Sequence, residues 1–401
     1  MIPRPTLVAK LESYKDRNVI KAVTGVRRCG KSVLLGMYRE RLAELGVPPE
    51  RIVSVDLDLM ENEGLREKHA LHDHFASRRS AEGTVYAFVD EAQRCPGFED
   101  AVEGLFAMGG FDIHVTGSNA SMLSGELATL LSGRYVEIPV LPLSFAEWLS
   151  SLPEERRAVP EREFRSYVRY GGFPEVASLG GDPALADGYL EGVLSTVLLR
   201  DVAERHAVRD VAALGKVARY LFSTVGSLVS GRKVSGALTS SGHKVAQPTV
   251  ENYLEYLSDA RLFYKAERFD AVGKERLATL AKYYAVDTGL RNQALGFRGG
   301  DRGHLLENVV YLELLRRGCR VWVGRAGGGE IDFVAEGPGG ASYFQVAESA
   351  ADPAVLEREL APLRAVPDYR PRTLLTLDWD PVGDYDGIAA VNVVDWLLGR
   401  S

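Results

Sequence analysis

Eight residues, Gly25-Val26-Arg27-Arg28-Cys29-Gly30-Lys31-Ser32, match the pattern GxxxxGK[ST] at every fixed position. Its glycines let the backbone turn tightly, so that consecutive N–H groups point at phosphate oxygens. Lys31 is spaced to reach a β- or γ-phosphate, and the Ser32 hydroxyl is a ligand for Mg²⁺. The apolar run NVIKAV (residues 18–23) precedes this stretch, and KSVLLGMYRERLAEL (31–45) follows it with helical periodicity. That is the strand–loop–helix frame the loop needs, and the helix adds the positive end of its dipole. Gly25 to Val33 therefore reads as a binding segment for a nucleoside triphosphate, ATP, with Mg²⁺.

Hydrolysis asks for carboxylates near such a loop. VYAFVDEAQ (85–93) is an apolar strand ending in Asp90 and Glu91. Asp90 is expected to hold Mg²⁺ from behind its inner ligands, and Glu91 to polarise the attacking water. Asp56 and Asp58, in VSVDLDL, rank second for the metal. IHVTGSNASML (113–123) ends a further strand in Ser118 and Asn119, side chains able to hydrogen-bond the γ-phosphate or the lytic water, though Ser and Asn also favour turns and caps. Arg134 lies just before the strand YVEIPV. An arginine there either sits plainly on the surface or stabilises transition-state charge on a neighbouring subunit's nucleotide.

These residues must be positioned by a chain of 401 residues, long enough for two to four domains. A hydrophobic content of 46% and a charged content of 26% are those of a soluble globular protein. No apolar run reaches the roughly 20 residues of a membrane span. The N-terminal stretch has no apolar centre of the signal-peptide kind. Cys29, Cys95 and Cys319 lie too far apart for a zinc motif or a disulfide framework, which fits a cytoplasmic setting. A net charge of −7 argues against indiscriminate nucleic-acid binding but leaves room for a local basic face.

Up to about residue 145, both-face-apolar strands alternate with helices, the pattern of a parallel sheet covered on two sides. Beyond it the pattern turns helical, then mixed. We expect an α/β fold: a P-loop NTPase core over 1–148, a helical lid or connector over 149–205, a winged helix-turn-helix over 206–285, and a small α/β domain over 286–401.

The ordered set GVRRCGKS, FVDEAQ, VTGSNASML, LSGRYVEIPVLPLSFAEW, YGGFPEV, LLRDVAERHAVRD, TVENYLEYLSDARL, KYYAVDTGLRN, LENVVYLELLRRG and GEIDFVA resembles the prokaryotic AAA-family ATPases joined to a C-terminal domain of unknown function (number 4143). The resemblance runs from residue 18 to about 350. It implies nucleotide and Mg²⁺ binding at Lys31 and Ser32, a Walker B pair at Asp90 and Glu91, and a sensor at Asn119 or Ser118. Less directly it implies a finger at Arg134 and a homo-oligomer, commonly a ring.

In the middle, a helix near residues 234–238 leads through a polar loop to a second helix, with Pro248 near its start and Thr249 as a cap. LFYKAERFD and AKYYAVD would be the wing strands, joined by AVGKERLATL. From 232 to 276, eight basic residues face six acidic ones, a weak balance for gripping phosphates. Arg232, Lys233, His243, Lys244 and Gln247 nevertheless cluster before the second helix. The module reads either as a DNA contact or as an interdomain packing piece. The end of the chain resembles a PD-(D/E)xK nuclease core: Glu307 on a helix, Asp332 at the end of a strand, and Gln345-Val346-Ala347 where (D/E)xK should fall. That chemistry needs metal-holding carboxylates and a lysine. Ala347 cannot replace the lysine, and Glu348 points to the other face, so the centre is expected to be degenerate. Trp322 and Trp379 are expected in the core.

Overall fold

The computed structural model describes residues 2–118, 133–271, 275–297, 301–379 and 383–400. They form two compact units, Pro3–Val140 with Asp259–Arg261, and Leu141–Ser258 with Leu262–Ser401.

In the first unit the elements run α1 (Pro5–Ser13), β1 (Ile20–Thr24), α2 (Lys31–Glu44), β2 (Ile52–Asp56), α3 (Lys68–Ala76), β3 (Val85–Asp90), α4 (Phe98–Met108), β4 (Phe111–Gly117) and β5 (Tyr135–Pro139). The strands pair in parallel in the order β2-β3-β4-β1-β5. A parallel sheet needs cover on its faces. Leu71 and Phe75 of α3 with Val102 and Leu105 of α4 supply it, packing with Val55, Ala87, Val89, Ile113 and Val115 of the strands. β4 lies between β1 and β3, so the C-terminal ends of β1 to β4 stand at one edge of the sheet. Register puts Val23 beside Thr116 and Asp56 beside Asp90.

The second unit begins with α5 (Phe145–Ser150), α6 (Pro160–Tyr170) and α7 (Pro183–Thr196), which continues into a π-helical stretch, Val197–Glu204. α8 (Val211–Ser223), β6 (Leu228–Val229), α9 (Gly231–Ser240), α10 (Gln247–Asp259), β7 (Phe263–Asp270) and β8 (Glu275–Ala285) follow. α11 (Thr288–Leu295), α12 (Arg302–Arg316), β9 (Arg320–Ala326), β10 (Gly329–Gly337), β11 (Gly340–Val346), α13 (Pro353–Arg364), β12 (Arg372–Thr376), β13 (Ala389–Asn392) and α14 (Val393–Leu397) complete it. The hairpin β7–β8 is part of a larger sheet. β7 pairs in parallel with β9, and one eight-stranded sheet, β13-β12-β11-β10-β9-β7-β8-β6, runs across residue 286.

Several local expectations change. α10 begins at Gln247, so Thr249 lies within its first turn and does not cap it. β8 begins at Glu275, so ERLATL belongs to the strand. Asp332 sits inside β10, where the pairing with β9 shifts between Ile331 and Val334. Opposite that bulge a glycine is required, because a Cβ on Gly324 would stand 2.8 Å from Ile331 Cβ and Val334 Cγ2. β11 ends at Val346, so Glu348 follows the strand and pairs with Arg302 at 3.4 Å. Trp379 lies beyond β12 in a connecting turn and is 80% exposed, not core. Trp322 is half-buried against Phe269, with ring centres 6.0 Å apart.

YGGF and VDTGL meet inside this unit. Asp287 caps α11 by accepting from the Leu290 N–H at 3.0 Å, and its other oxygen accepts from the Gly172 N–H at 2.7 Å. Gly171 has φ +79°, and a Cβ there would stand 2.0 Å from Asp287 Oδ1, so only glycine fits.

Candidate functional site

The loop between β1 and α2 closes on itself. A Cβ on Gly25 would stand 2.1 Å from the Val140 carbonyl oxygen and 2.8 Å from Cys29 Sγ. Gly30 takes φ +102° at the N-cap of α2, which leaves the first N–H groups of the helix facing the loop. Arg28 also adopts a left-handed backbone, at φ 68°. Such a conformation costs a residue with a side chain roughly 1–3 kcal/mol, and is kept where a loop must present its backbone. Cys29 is fully buried, and burial raises its thiol pKa, so it offers the loop its backbone only. Lys31 is buried, and its Nζ donates to the carbonyls of Gly25 at 3.1 Å and Val26 at 3.3 Å, bending over the loop. Ser32 and Val33 are exposed at the start of α2, and Arg27 is half-buried.

The ends of β3 and β4 form the facing group. The Thr116 hydroxyl donates to Asp90 Oδ1 and accepts from the Glu91 N–H at 2.9 Å. Glu91 N–H also reaches Asp90 Oδ1 at 3.2 Å. Glu91 stands at φ 52°, a left-handed turn that lifts its side chain off the strand line. Its Oε2 accepts from Gln93 Nε2 at 2.5 Å. Asp90 is buried, and the neighbouring Asp56 carboxyl has its pKa raised, by burial first and by Asp90 and Asp58 as well. Two carboxyls side by side at the ends of neighbouring strands suit a divalent cation. Asp58 points elsewhere, to Arg94. Sequence reasoning missed Thr116 and Gln93. Thr116 carries no local motif, whereas Gln93 is the last residue of the DEAQ run.

Residues 17–149 match the AAA domain, and residues 161–301 match a domain of unknown function (DUF8612). An uncharacterized protein of Haemophilus influenzae is 39% identical over 401 residues, covering 99% of each chain. The chain belongs to this family of AAA-domain proteins. An uncharacterized protein of Methanocaldococcus jannaschii is 32% identical over 314 residues, 75% of this chain and 67% of its own. Among solved structures, the Walker-type ATPase of Pyrococcus abyssi is similar at 17% identity with a TM-score of 0.45, over 73% of this chain and 96% of that one.

The other expected residues of the AAA domain fall as follows. Ser118 is buried just beyond β4, and Asn119 lies outside the described residues. Arg134 precedes β5, and its carbonyl accepts from Ile20 N–H at the start of β1, the sheet edge opposite the phosphate loop. Its guanidinium pairs with Glu103 at 3.4 Å and lies 5.9 Å from the centre of the Phe106 ring. Arg134 therefore does not face the loop of its own chain. Among the described residues no helix is long and apolar enough to cross a membrane.

The second unit gathers Glu307 on α12, Asp332 on β10 and Gln345 on β11, all buried. A lysine that sequence reasoning missed joins them: Lys282 of β8 is 2% exposed, with Nζ 2.8 Å from Glu307 and 2.7 Å from Glu330. Burial would lower its pKa, but Glu307, Asp332 and Glu330 together raise it. Glu307 resists the raising effect of burial and is held below the carboxylate range by Lys282 and His304, whereas burial and the Glu307 charge push Asp332 well above it. Gln345, at the third ligand position, is tied up within the protein. Its amide oxygen accepts from Asp332 N–H at 3.3 Å, and its nitrogen donates to Glu359 at 2.7 Å.

Proposed function

We propose that the chain is a cytoplasmic, Mg²⁺-dependent ATPase that works as a homo-oligomer and couples turnover to rearrangement on DNA. The observation that carries this reading is one sheet edge: the phosphate loop after β1 and the Asp90–Glu91 turn after β3, with Thr116 of the strand between them bonded to both acids. In the proposed mechanism the N–H groups of Gly25 to Val33 cradle the phosphates, and Lys31 exchanges its carbonyl partners for phosphate oxygens. Ser32 and Asp90 would hold Mg²⁺, which would supply charge neutralisation to the phosphates. Glu91 takes the proton from water. Thr116 fixes the turn that aims it, and Ser118 or Asn119 contacts the γ-phosphate. Arg134 acts on a neighbouring copy, a reading supported by its place at the far edge of its own sheet.

Lys31→Ala should abolish nucleotide binding. Glu91→Gln should keep it and lower turnover by about 10²–10⁴-fold, the range for a lost general base. Unchanged turnover in the Glu91 variant refutes its role.

The DNA part of the reading rests on the α9–α10–β7–β8 order, that of a winged helix, and on exposed Arg232, Lys233, His243 and Lys244. The exposed Glu251 and Glu255 of α10 favour a second reading, a nucleotide-dependent switch that contacts protein. DNA affinity measured against salt, with and without ATP, separates the two: a steep salt slope supports DNA, and no binding at low salt supports the switch.

A further inference from the structure

A metal-dependent nuclease centre needs carboxylate oxygens free to take a divalent ion at about 2.1 Å. In the second unit one oxygen of each carboxyl is already engaged. Glu307 Oε1 accepts from Lys282 Nζ at 2.8 Å and from the Tyr284 hydroxyl at 2.6 Å. Glu330 Oε1 lies 2.7 Å from the same ammonium, and Asp332 Oδ1 lies 3.8 Å from it. The second Asp332 oxygen accepts from Val346 N–H at 2.9 Å. The residue at the third ligand position, Gln345, spends its oxygen on the Asp332 N–H and its nitrogen on Glu359. Among the described residues no group of three or more His, Cys, Asp or Glu side chains is arranged to hold a metal ion.

A buried ammonium is costly unless it is paired, and this one is central to three carboxyls drawn from α12 and β10. A divalent ion bound to the same oxygens would lie within a few ångströms of Nζ, where two cations repel strongly at low dielectric. A divalent ion on Glu307 Oε1 would therefore have to displace this ammonium. The lysine comes from β8, much earlier in the chain than the Ala347 position where the nuclease pattern would have it.

We propose that Lys282 is the resident cation of this cluster: its ammonium takes the place a divalent ion would need, so the nuclease-like centre binds no Mg²⁺ or Mn²⁺ and acts as an internal tie between β8, α12 and β10. The inference does not depend on the ATPase reading.

The test is a Mn²⁺ titration of the nucleotide-free full chain, with free Mn²⁺ followed by electron paramagnetic resonance. Wild type, Asp332→Asn and Lys282→Met are compared, and any uptake at the phosphate loop is common to all three. Equal uptake by wild type and Asp332→Asn is expected. Lys282→Met should gain a Mn²⁺ equivalent that a further Glu307→Gln change removes. A wild-type equivalent that disappears in Asp332→Asn overturns the proposal, and so does a folded Lys282→Met chain that gains none. Where Lys282→Met does not fold, the wild-type and Asp332→Asn pair decides alone by the same criterion.

Discussion

Replacing Asp287 by asparagine should remove a pH-dependent component of stability that the wild type carries. The carboxyl is 3% exposed, and burial pushes its pKa from 3.8 up to about 6, even though the N–H groups of Gly172, Leu290 and Gly289 favour its ionised form. The folded chain thus holds the proton more tightly than the unfolded chain. The stability this provides is complete below about pH 4 and is lost as the pH rises through about 6. The rise from 3.8 to about 6, at about 1.36 kcal/mol per unit, is worth about 3 kcal/mol. The asparagine variant keeps an oxygen to cap α11. It also turns an N–H group toward Gly172 N–H, which costs roughly 1–3 kcal/mol at every pH. The difference in unfolding free energy between wild type and Asp287→Asn should therefore be greatest near pH 4 and shrink by about 3 kcal/mol toward pH 7. All four tryptophans, Trp148, Trp322, Trp379 and Trp396, belong to the second unit. Tryptophan fluorescence during urea titration at a series of pH values therefore reports the unit that holds Asp287. A difference that stays constant with pH would show that the carboxyl titrates normally and that this reasoning is wrong.

Two further outcomes follow from the nucleotide site. Gly25→Ala puts a Cβ at 2.1 Å from the Val140 carbonyl, which must displace the loop, so nucleotide affinity should fall at least tenfold, roughly 1.4 kcal/mol, while circular dichroism stays that of the wild type. A variant with wild-type affinity by calorimetry would mean that the loop can yield at that point. Gln93→Ala frees the Glu91 carboxylate from its 2.5 Å hydrogen bond, so turnover should change several-fold while the dissociation constant for ATP does not. Equal shifts in both would assign Gln93 to binding and not to the placing of Glu91.

What could be read from the chain depended on how far apart the cooperating residues lie. The phosphate loop was legible because its donors occupy consecutive positions and its glycines are sterically compelled, as the 2.1 Å approach at Gly25 shows. The parallel sheet was legible because strands buried on both faces leave unbroken apolar runs, as in VYAFVD. Thr116 was not, because it is paired with Asp90 by the insertion of β4 beside β3, a choice of strand order that no local pattern carries. Lys282 was hidden by the same kind of distance. Its partners stand 25 to 50 residues further on, and an alternation of two places it on one face of β8 with Tyr284, while Ala281 and Tyr283 take the other. The local pattern places its lysine at the position of Ala347, and Lys282 lies outside that triplet. The stronger constraint was electrostatic. Two carboxyls expected to face one interior, Glu307 and Asp332, cannot be buried together without a counter-charge. The residue able to supply it was an inward lysine in the last residues of sequence before Asp287, and KYYAVD contains one.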